Sequence, residues 1–259
     1  MYLTAPEFEA QMPDGRQLLS DEPEMESSSH YTQLLLLVTI LEHFWGDRDD
    51  FFLGANLTVY FSRQQLKQRD FRGPDFFVVR HTERRERNSW VVWEEDGRYP
   101  DLIVELLSTS TASIDRGLKK ALYQNRFRTP EYFWFSPDTL EFQGFRLQGE
   151  EYMEIPPNAQ GWRWSEVLDL YLGVAGDRLR YFTVGGAMLP TPGEAAAQER
   201  QRAEQERQRA EQERQRAEQE RQRAEQERQR AEQERQRADH AEERIEALVV
   251  RLRELGYEA

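Results

Sequence analysis

The last quarter of the chain repeats one seven-residue unit, QERQRAE, almost without change from about Gln198 to Ala238. The unit contains strong helix formers and neither Gly nor Pro, so the segment is expected to be helical. Each unit carries two Glu, two Arg and a single Ala, which leaves no apolar face wide enough for a globular core. The repeat therefore confines the core to the preceding part of the 259-residue chain, about 190 residues and enough for one domain.

Beyond the repeat, apolar residues alternate at spacings of four and three, at Ala241, Ile245, Leu248, Leu252 and Leu255. This alternation is typical of a coiled-coil seam. The sequence predicts a long heptad-repeat helix over 194–256, about 90 Å long at 1.5 Å per residue if continuous. We expect it to associate near its C-terminal end, as a homo-oligomer or with a protein partner. A solvated single helix without a partner is the alternative.

Cysteine is absent, which excludes disulfides and thiolate metal sites and is consistent with a reducing compartment. The amino terminus has no basic region followed by an apolar one, so no signal peptide is recognised. The longest mostly apolar stretch, residues 34–41, is too short to span a bilayer. We expect a cytoplasmic protein without a membrane partner.

The formal net charge is −13, and it lies mainly on the globular part because the repeats are close to neutral. Proteins that hold nucleic acid through its phosphates usually present a basic patch, so this charge counts against strong nonspecific DNA binding. A local basic groove stays open as an expectation. Two clusters could supply it: Arg80, Arg84, Arg85 and Arg87, or Arg63, Lys67 and Arg69.

Hydrophobic patterning predicts a polar N-terminal arm at 1–25, an α/β domain at 26–190 with a mixed sheet flanked by helices, and the repeat helix. A first helix is expected from Tyr31 to Trp45. Strands are expected at 51–61, from about 75, at 90–93, 101–107 and 131–135, and in a hairpin at 140–147 and 152–155. A second helix is expected from Ile114 to Phe127, packing on the sheet through Ile114, Leu118, Ala121 and Leu122.

Two acidic residues lie in or beside apolar strands. Asp75 follows Gly73-Pro74 and opens the run Phe76 to Val79, and Glu105 interrupts the run DLIVELLS. A carboxylate in a buried strand is costly unless it is paired, protonated or bound to a metal. Two such carboxylates on neighbouring strands could bind Mg²⁺ or Mn²⁺. Asp75 could equally be a turn residue, and Glu105 could face solvent on an antiparallel sheet.

Helical spacing suggests the third member of this site. Asp115, Lys119 and Tyr123 are four residues apart and therefore share one helix face. A turn links this helix directly to the strand of Glu105, so Lys119 could reach back to it and assist a hydrolysis. Tyr123 would position groups. Lys119 could otherwise be helix surface, and Asp115 could do no more than pair with it.

Glu26 and His30 precede the first helix and are supporting site candidates. Each could equally be a helix cap or a surface group.

The succession PDFFVV, PDLIVELLSTSTASIDRGLKKALY and TPEYFWFSPDTLEF resembles the Uma-type restriction endonuclease family, within the PD-(D/E)xK nuclease-like superfamily, over about Glu26 to Phe182. The resemblance implies a restriction-endonuclease-like core with a central four-stranded mixed sheet. It matches Asp75 to the family's metal-binding Asp and Glu105 to its strand Glu. The superfamily's lysine usually lies two residues after that Glu, where this chain has Leu107. In this family the lysine is on the following helix, and Lys119 matches it.

These observations favour a metal-dependent endonuclease that hydrolyses DNA phosphodiester bonds. The alternative is a catalytically inactive nuclease fold that serves as a scaffold or interaction module and oligomerises through its C-terminal helix. An RNA-directed nuclease would share the same site chemistry, but no RNA-reading module is recognised in the sequence.

Overall fold

The structure is a computed structural model that describes residues 18–20, 27–62, 73–108 and 115–254. The chain divides into two compact units, Met1–Glu194 and Ala195–Ala259. Most of the expected N-terminal arm at 1–25 lies outside the described residues, and so does the site candidate Glu26. Among the helices described, none has both the length and the apolar character that a bilayer crossing requires.

The first unit begins with helix α1, Ser28–Phe44, whose N-cap Ser27 accepts a hydrogen bond from the His30 N–H. The first strands are β1 Phe51–Ala55, β2 Val59–Tyr60, β3 Phe76–Arg80, β4 Trp90–Val91 and β5 Leu102–Leu106. Helix α2 follows at 115–127. The later strands are β6 Glu131–Phe135, β7 Phe142–Gln148, β8 Glu151–Glu154, β9 Arg163–Ser165, β10 Leu170–Ala175 and β11 Arg178–Phe182.

Six strands form the main sheet, in the order β1-β3-β5-β6-β7-β8. The β5 and β6 strands are parallel, and the other neighbouring pairs in this sheet are antiparallel. Parallel neighbours need a crossover connection, and α2 lies in that connection. The predicted mixed sheet with flanking helices is confirmed, with six strands where the family resemblance implied four.

The main sheet is apolar on both faces. On one face, Phe76, Val78 and Val104 share a core with Leu37 and Leu41 of α1. That core also takes in side chains of the strands β10 and β11.

On the other face, Phe77, Val79 and Ile103 share a core with Tyr123 and Phe127 of α2. Because strand residues alternate between faces, Glu105 lies on the same face as Ile103, toward α2.

A second sheet of three strands, in the order β11-β10-β9, was not predicted. It adjoins α1, where the Gln33 side chain accepts from the Leu179 N–H and donates to the Leu179 carbonyl, both at 3.0 Å. This exchange satisfies a buried side-chain amide with a strand backbone.

Two predicted strands are shorter in the structure. The strand expected at 51–61 is interrupted at Asn56, which has a φ of 45°. The β1 strand pairs with β3, whereas β2 pairs with β4 in a separate two-stranded sheet. After β4 the chain turns into a 3₁₀-helix, Val92–Glu94, in place of the strand expected to reach Trp93.

Helix α3, Pro192–Glu254, has 63 residues and confirms the long C-terminal helix. Its start is a capping box, in which the Glu194 N–H donates to Thr191 Oγ1 at 3.1 Å and the Thr191 N–H donates to Glu194 Oε2 at 2.7 Å. From Ala196 to Arg251 every side chain is exposed. Coiled-coil pairing of this helix stays a prediction.

Candidate active site

The main sheet brings Asp75 and Glu105 side by side. The β3 and β5 strands pair antiparallel with Phe76 opposite Val104, so one further step of the same register sets Asp75 opposite Glu105. The Leu106 N–H donates to Asp75 Oδ2 at 2.7 Å. The Asp75 carbonyl accepts from the Asn56 N–H at 2.7 Å. Hydrogen bonds therefore hold both the side chain and the backbone of Asp75 in place at the start of β3, which excludes a simple turn residue.

Glu105 is fully buried, and helix α2 supplies partners for both of its carboxyl oxygens. The Tyr123 hydroxyl donates to Oε1 at 2.6 Å. The Lys119 ammonium donates to Oε2 at 2.9 Å. These bonds explain how an acid tolerates a fully buried strand position. They also exclude the alternative in which Glu105 faces solvent.

The helix presents these groups through an unusual backbone. It consists of a π-helical segment Asp115–Lys119, an α-helical segment Lys120–Leu122 and a second π-helical segment Tyr123–Phe127. Lys119 ends the first π segment and Tyr123 begins the second. Departures of this kind from the α-helix are frequent at functional sites.

The prediction for the packing face of α2 is wrong at Leu118 and Ala121 but confirmed at Leu122, which is partly buried against the core on this side of the sheet. The fourth predicted residue, Ile114, lies outside the described residues. Leu118 is 75% exposed and Ala121 is also exposed, whereas Tyr123 and Phe127 are buried. The Tyr123 ring lies 5.4 Å from that of Tyr132 on β6, centroid to centroid. The aromatic stripe, together with the bonds to Glu105, determines which face turns inward.

Burial raises the pKa of Glu105 to about 8. The Lys119 ammonium and the Tyr123 hydroxyl lower this pKa, and the negative charge of the neighbouring Asp75 raises it. Burial is the largest effect and outweighs the two lowering effects. The Glu105 carboxyl therefore retains its proton near neutral pH, where an exposed glutamate would have lost it. Binding a cation at this carboxyl would compete with that proton.

The acid pair offers hard oxygen ligands, which are the ligands that Mg²⁺ and Mn²⁺ prefer. In the described ranges no cluster of three or more acidic or histidine side chains could hold a metal ion. Mg²⁺ commonly uses one or two carboxylates and keeps several waters, so the two acids fit this type of ion. Lys119 is 15% exposed, which gives solvent access to the same site.

Of the other predicted site residues, Glu26, His30 and Asp115, the structure describes only the side chain of His30. His30 is buried, and its Nδ1 lies 2.8 Å from Ser27 Oγ, which makes it part of the α1 cap. Glu26 lies outside the described residues, as does the side chain of Asp115, whose backbone begins α2.

Two features of the site were missed from the sequence. The backbone N–H of Leu106 holds the Asp75 carboxylate, and the strand register would have revealed it. Trp134 is buried in the core on this face and lies opposite Glu105 in the parallel β5 and β6 pair. Leu107, at the usual lysine position of the superfamily, is 1% exposed and belongs to the core beside α2.

The first basic cluster is largely engaged within the protein. Arg85 and Arg87 donate to Glu95 Oε1 at 2.6 and 2.7 Å. Arg80 Nη1 donates to the Val167 carbonyl at 3.2 Å. The second cluster, Arg63, Lys67 and Arg69, lies outside the described residues.

Comparison with known proteins identifies a family and a similar solved structure. Residues 6–180 match Uma2, described as “Putative restriction endonuclease”. The chain is also similar to a crystal structure of “a putative nuclease belonging to DUF820” from Anabaena variabilis ATCC 29413, with 18% sequence identity and a TM-score of 0.42. That similarity covers 59% of this chain and 80% of the other. No curated protein matches the chain.

Proposed function

This chain belongs to the Uma2 restriction endonuclease family, and we propose that it is a Mg²⁺- or Mn²⁺-dependent endonuclease of the PD-(D/E)xK type that hydrolyses DNA. One observation carries the proposal. The acids Asp75 and Glu105 are neighbours on adjacent strands, and Lys119 Nζ lies 2.9 Å from Glu105 Oε2. A pair of acids with a lysine can support a metal-assisted phosphodiester hydrolysis, because the acids can bind the cation and the lysine can stabilise negative charge.

Asp75 and Glu105 would hold the cation, which supplies Lewis acidity and lowers the pKa of a bound water. Lys119 would orient the attacking water or offset negative charge that develops on the phosphate. Tyr123 would position Glu105 through its hydrogen bond of 2.6 Å. The Leu106 N–H would keep the Asp75 carboxylate directed toward its neighbour.

Two observations favour a second candidate, an inactive nuclease fold that serves as a scaffold or interaction module. Both carboxyl oxygens of Glu105 already accept hydrogen bonds from the protein. Arg85 and Arg87 are bound to Glu95, so the cluster they belong to offers less charge for a DNA phosphate. An inactive fold would keep the Lys119–Glu105 contact as a purely structural ion pair.

The test is cleavage of supercoiled plasmid with Mg²⁺ and with Mn²⁺, comparing the native chain with Asp75→Asn and Glu105→Gln. Both substitutions keep the side-chain shape and remove an ionisable acid. Lys120→Met is the matched control, because the Lys120 ammonium packs 3.4 Å from the Phe145 ring centroid rather than on Glu105.

Metal-dependent nicking that is lost in both acid variants and kept in the control supports the nuclease. Nicking that survives in both acid variants contradicts the site. No nicking by the native chain, with no metal binding by calorimetry, favours the scaffold. A parallel assay on single-stranded RNA separates a DNA nuclease from an RNA nuclease.

A further inference from the structure

The apolar residues near the end of α3 form an exposed stripe, here called the terminal seam. Its described members include Ile245, 60% exposed, and Leu248, 57% exposed. With Ile245 as position a of the heptad, Leu248 is position d, and the sequence continues the pattern with Leu252 and Leu255. Ile at a with Leu at d, as at Ile245 and Leu248, favours a two-stranded parallel coiled coil.

The preceding repeat has the same register but a different chemistry. Every position a is Ala and every position d is Glu, as at Ala210 and Glu213. Positions e and g, which flank a seam, are both Arg, as at Arg207 and Arg209. In a parallel pair, position g of one helix faces position e of the next heptad in the other helix. Arg202 would therefore face Arg207 of a second copy, and the repeats would repel each other.

This charge pattern changes where the terminal seam begins. Position e becomes Glu242, and the preceding position g is Arg237. In a parallel, in-register pair, Arg237 of each copy would face Glu242 of the other. The pair between positions g and e thus changes from two like charges to two opposite charges. The change occurs at the heptad where position d changes from Glu to an apolar residue. An antiparallel pair would instead set position g against position g, which is Arg against Arg.

We propose that this chain forms a parallel, in-register homodimer through the heptads at 237–251, while the repeat at 198–236 stays an unpaired, solvated helix. Within each repeat the helix is supported by its own side chains, since Gln208 Nε2 donates to Glu204 Oε1 at 3.2 Å and the following heptads repeat this contact. The repeat therefore needs no partner to be helical. The dimer is independent of the proposed function, because the site lies in the other unit.

The first experiment is the mass of the full chain by sedimentation equilibrium at micromolar concentration, against 30.8 kDa for one copy. The native chain is expected at twice that mass. Leu248→Glu is expected to be a monomer, because it puts a charge in the seam of each copy. Val250→Glu is the matched control, because Val250 is 55% exposed but lies at position f, outside the seam. A native monomer, a trimer, or a dimer that survives Leu248→Glu overturns the proposal.

The second experiment determines the direction of the pairing. The chain has no cysteine, so Ala241→Cys and Leu248→Cys, made separately, each introduce a single thiol at position d. Both are expected to give disulfide-linked dimers on oxidation, and Val250→Cys is not. In an antiparallel pair at most one of these two positions could meet its own copy. Cross-linking at one position alone, or at neither, overturns the parallel arrangement.

The third experiment tests the charge pair. Glu242→Arg is expected to weaken self-association by roughly tenfold, because both copies of the pair become like-charged. The double variant Arg237→Glu, Glu242→Arg is expected to restore it to within about threefold of the native chain. A double variant as weak as the single one overturns the in-register pairing.

Discussion

The Lys119 ammonium donates to Glu105 Oε2 across 2.9 Å, although the two residues are 14 positions apart in the chain. The lysine comes from a helix and the acid from a buried strand. The crossover between parallel strands β5 and β6 brings them together. The contact with Glu105 therefore does not depend on a lysine two residues later in the chain. That position is Leu107, which is buried in the core.

Replacing this lysine tests whether the contact is catalytic. Lys119→Met keeps the length of the side chain and removes its charge. We expect DNA cleavage to fall by about 10² or more, because an oriented cation near the phosphate is lost. Asp75 and Glu105 still bind the metal, but at a higher pH than in the native chain, because the ammonium that lowers the pKa of Glu105 is gone. Cleavage is measured on plasmid, and metal binding by calorimetry. Lys120→Met is the control, and loss of cleavage in both variants alike would contradict a specific role for Lys119.

The raised pKa of Glu105 predicts a pH dependence of stability. An unfolded glutamate titrates near its ordinary value of 4.5, and the folded one titrates at about 8. Between these values the folded state binds more protons than the unfolded state, so the free energy of unfolding falls as pH rises. The slope is at most about 1.4 kcal/mol per pH unit. Urea unfolding of the native chain and of Glu105→Gln from pH 5 to pH 8 measures this difference.

Glu105→Gln cannot ionise, so its free energy of unfolding is expected to decline less than that of the native chain over this range. Equal declines in the two proteins would show that Glu105 titrates near its ordinary pKa.

The acid pair could be predicted from the sequence because both acids adjoin apolar strands, where a carboxylate needs a partner. The i,i+4 spacing of Lys119 and Tyr123 placed both on one helix face. The inward face of α2 could not be predicted from apolar residues alone. Leu118 offered hydrophobic area, but it is exposed because the helix instead buries Tyr123, whose hydroxyl donates to Glu105.

Two parts of the fold depend on tertiary context. The alternation at 51–61 was compatible with one strand, but Asn56 adopts a left-handed conformation and the two halves join different sheets. The three-stranded sheet was missed because its short strands acquire their apolar surroundings only from α1 and the main sheet. Gln33 on α1 adds a polar contact to this sheet, since its side-chain amide donates to the Leu179 carbonyl of β11.

Removing the Tyr123 hydroxyl is expected to change the titration of Glu105. Its hydrogen bond favours the ionised carboxylate, so Tyr123→Phe should raise the pKa of Glu105 further. A metal that competes with the proton would then require a higher pH to bind. We expect the pH at which Mn²⁺ binding is half-maximal to move upward, as measured by calorimetry at fixed metal concentration. Tyr152→Phe is the control, since its hydroxyl donates to the Thr129 carbonyl. A downward shift, or equal shifts in both variants, would contradict this role.

The last prediction concerns Glu131, a buried acid on β6 that serves the fold rather than the site. Its carboxylate accepts from Arg146 Nη2 at 2.9 Å, from the Glu166 N–H at 2.8 Å and from the Ser165 hydroxyl. It therefore ties the main sheet to β9 and the turn after it. Glu131→Ala leaves these donors without their acceptor, and we expect a loss of about 3 kcal/mol in the free energy of unfolding.

Glu166→Ala is the matched control for Glu131→Ala, because Glu166 pairs with the same Arg146 at 2.7 Å but its side chain is 65% exposed. An exposed ion pair contributes at most about 1 kcal/mol, so this variant should remain close to the native chain. Chemical denaturation of the three proteins measures both effects. Equal losses in the two variants would mean that Arg146 alone carries the interaction, and that the backbone donors to Glu131 contribute nothing.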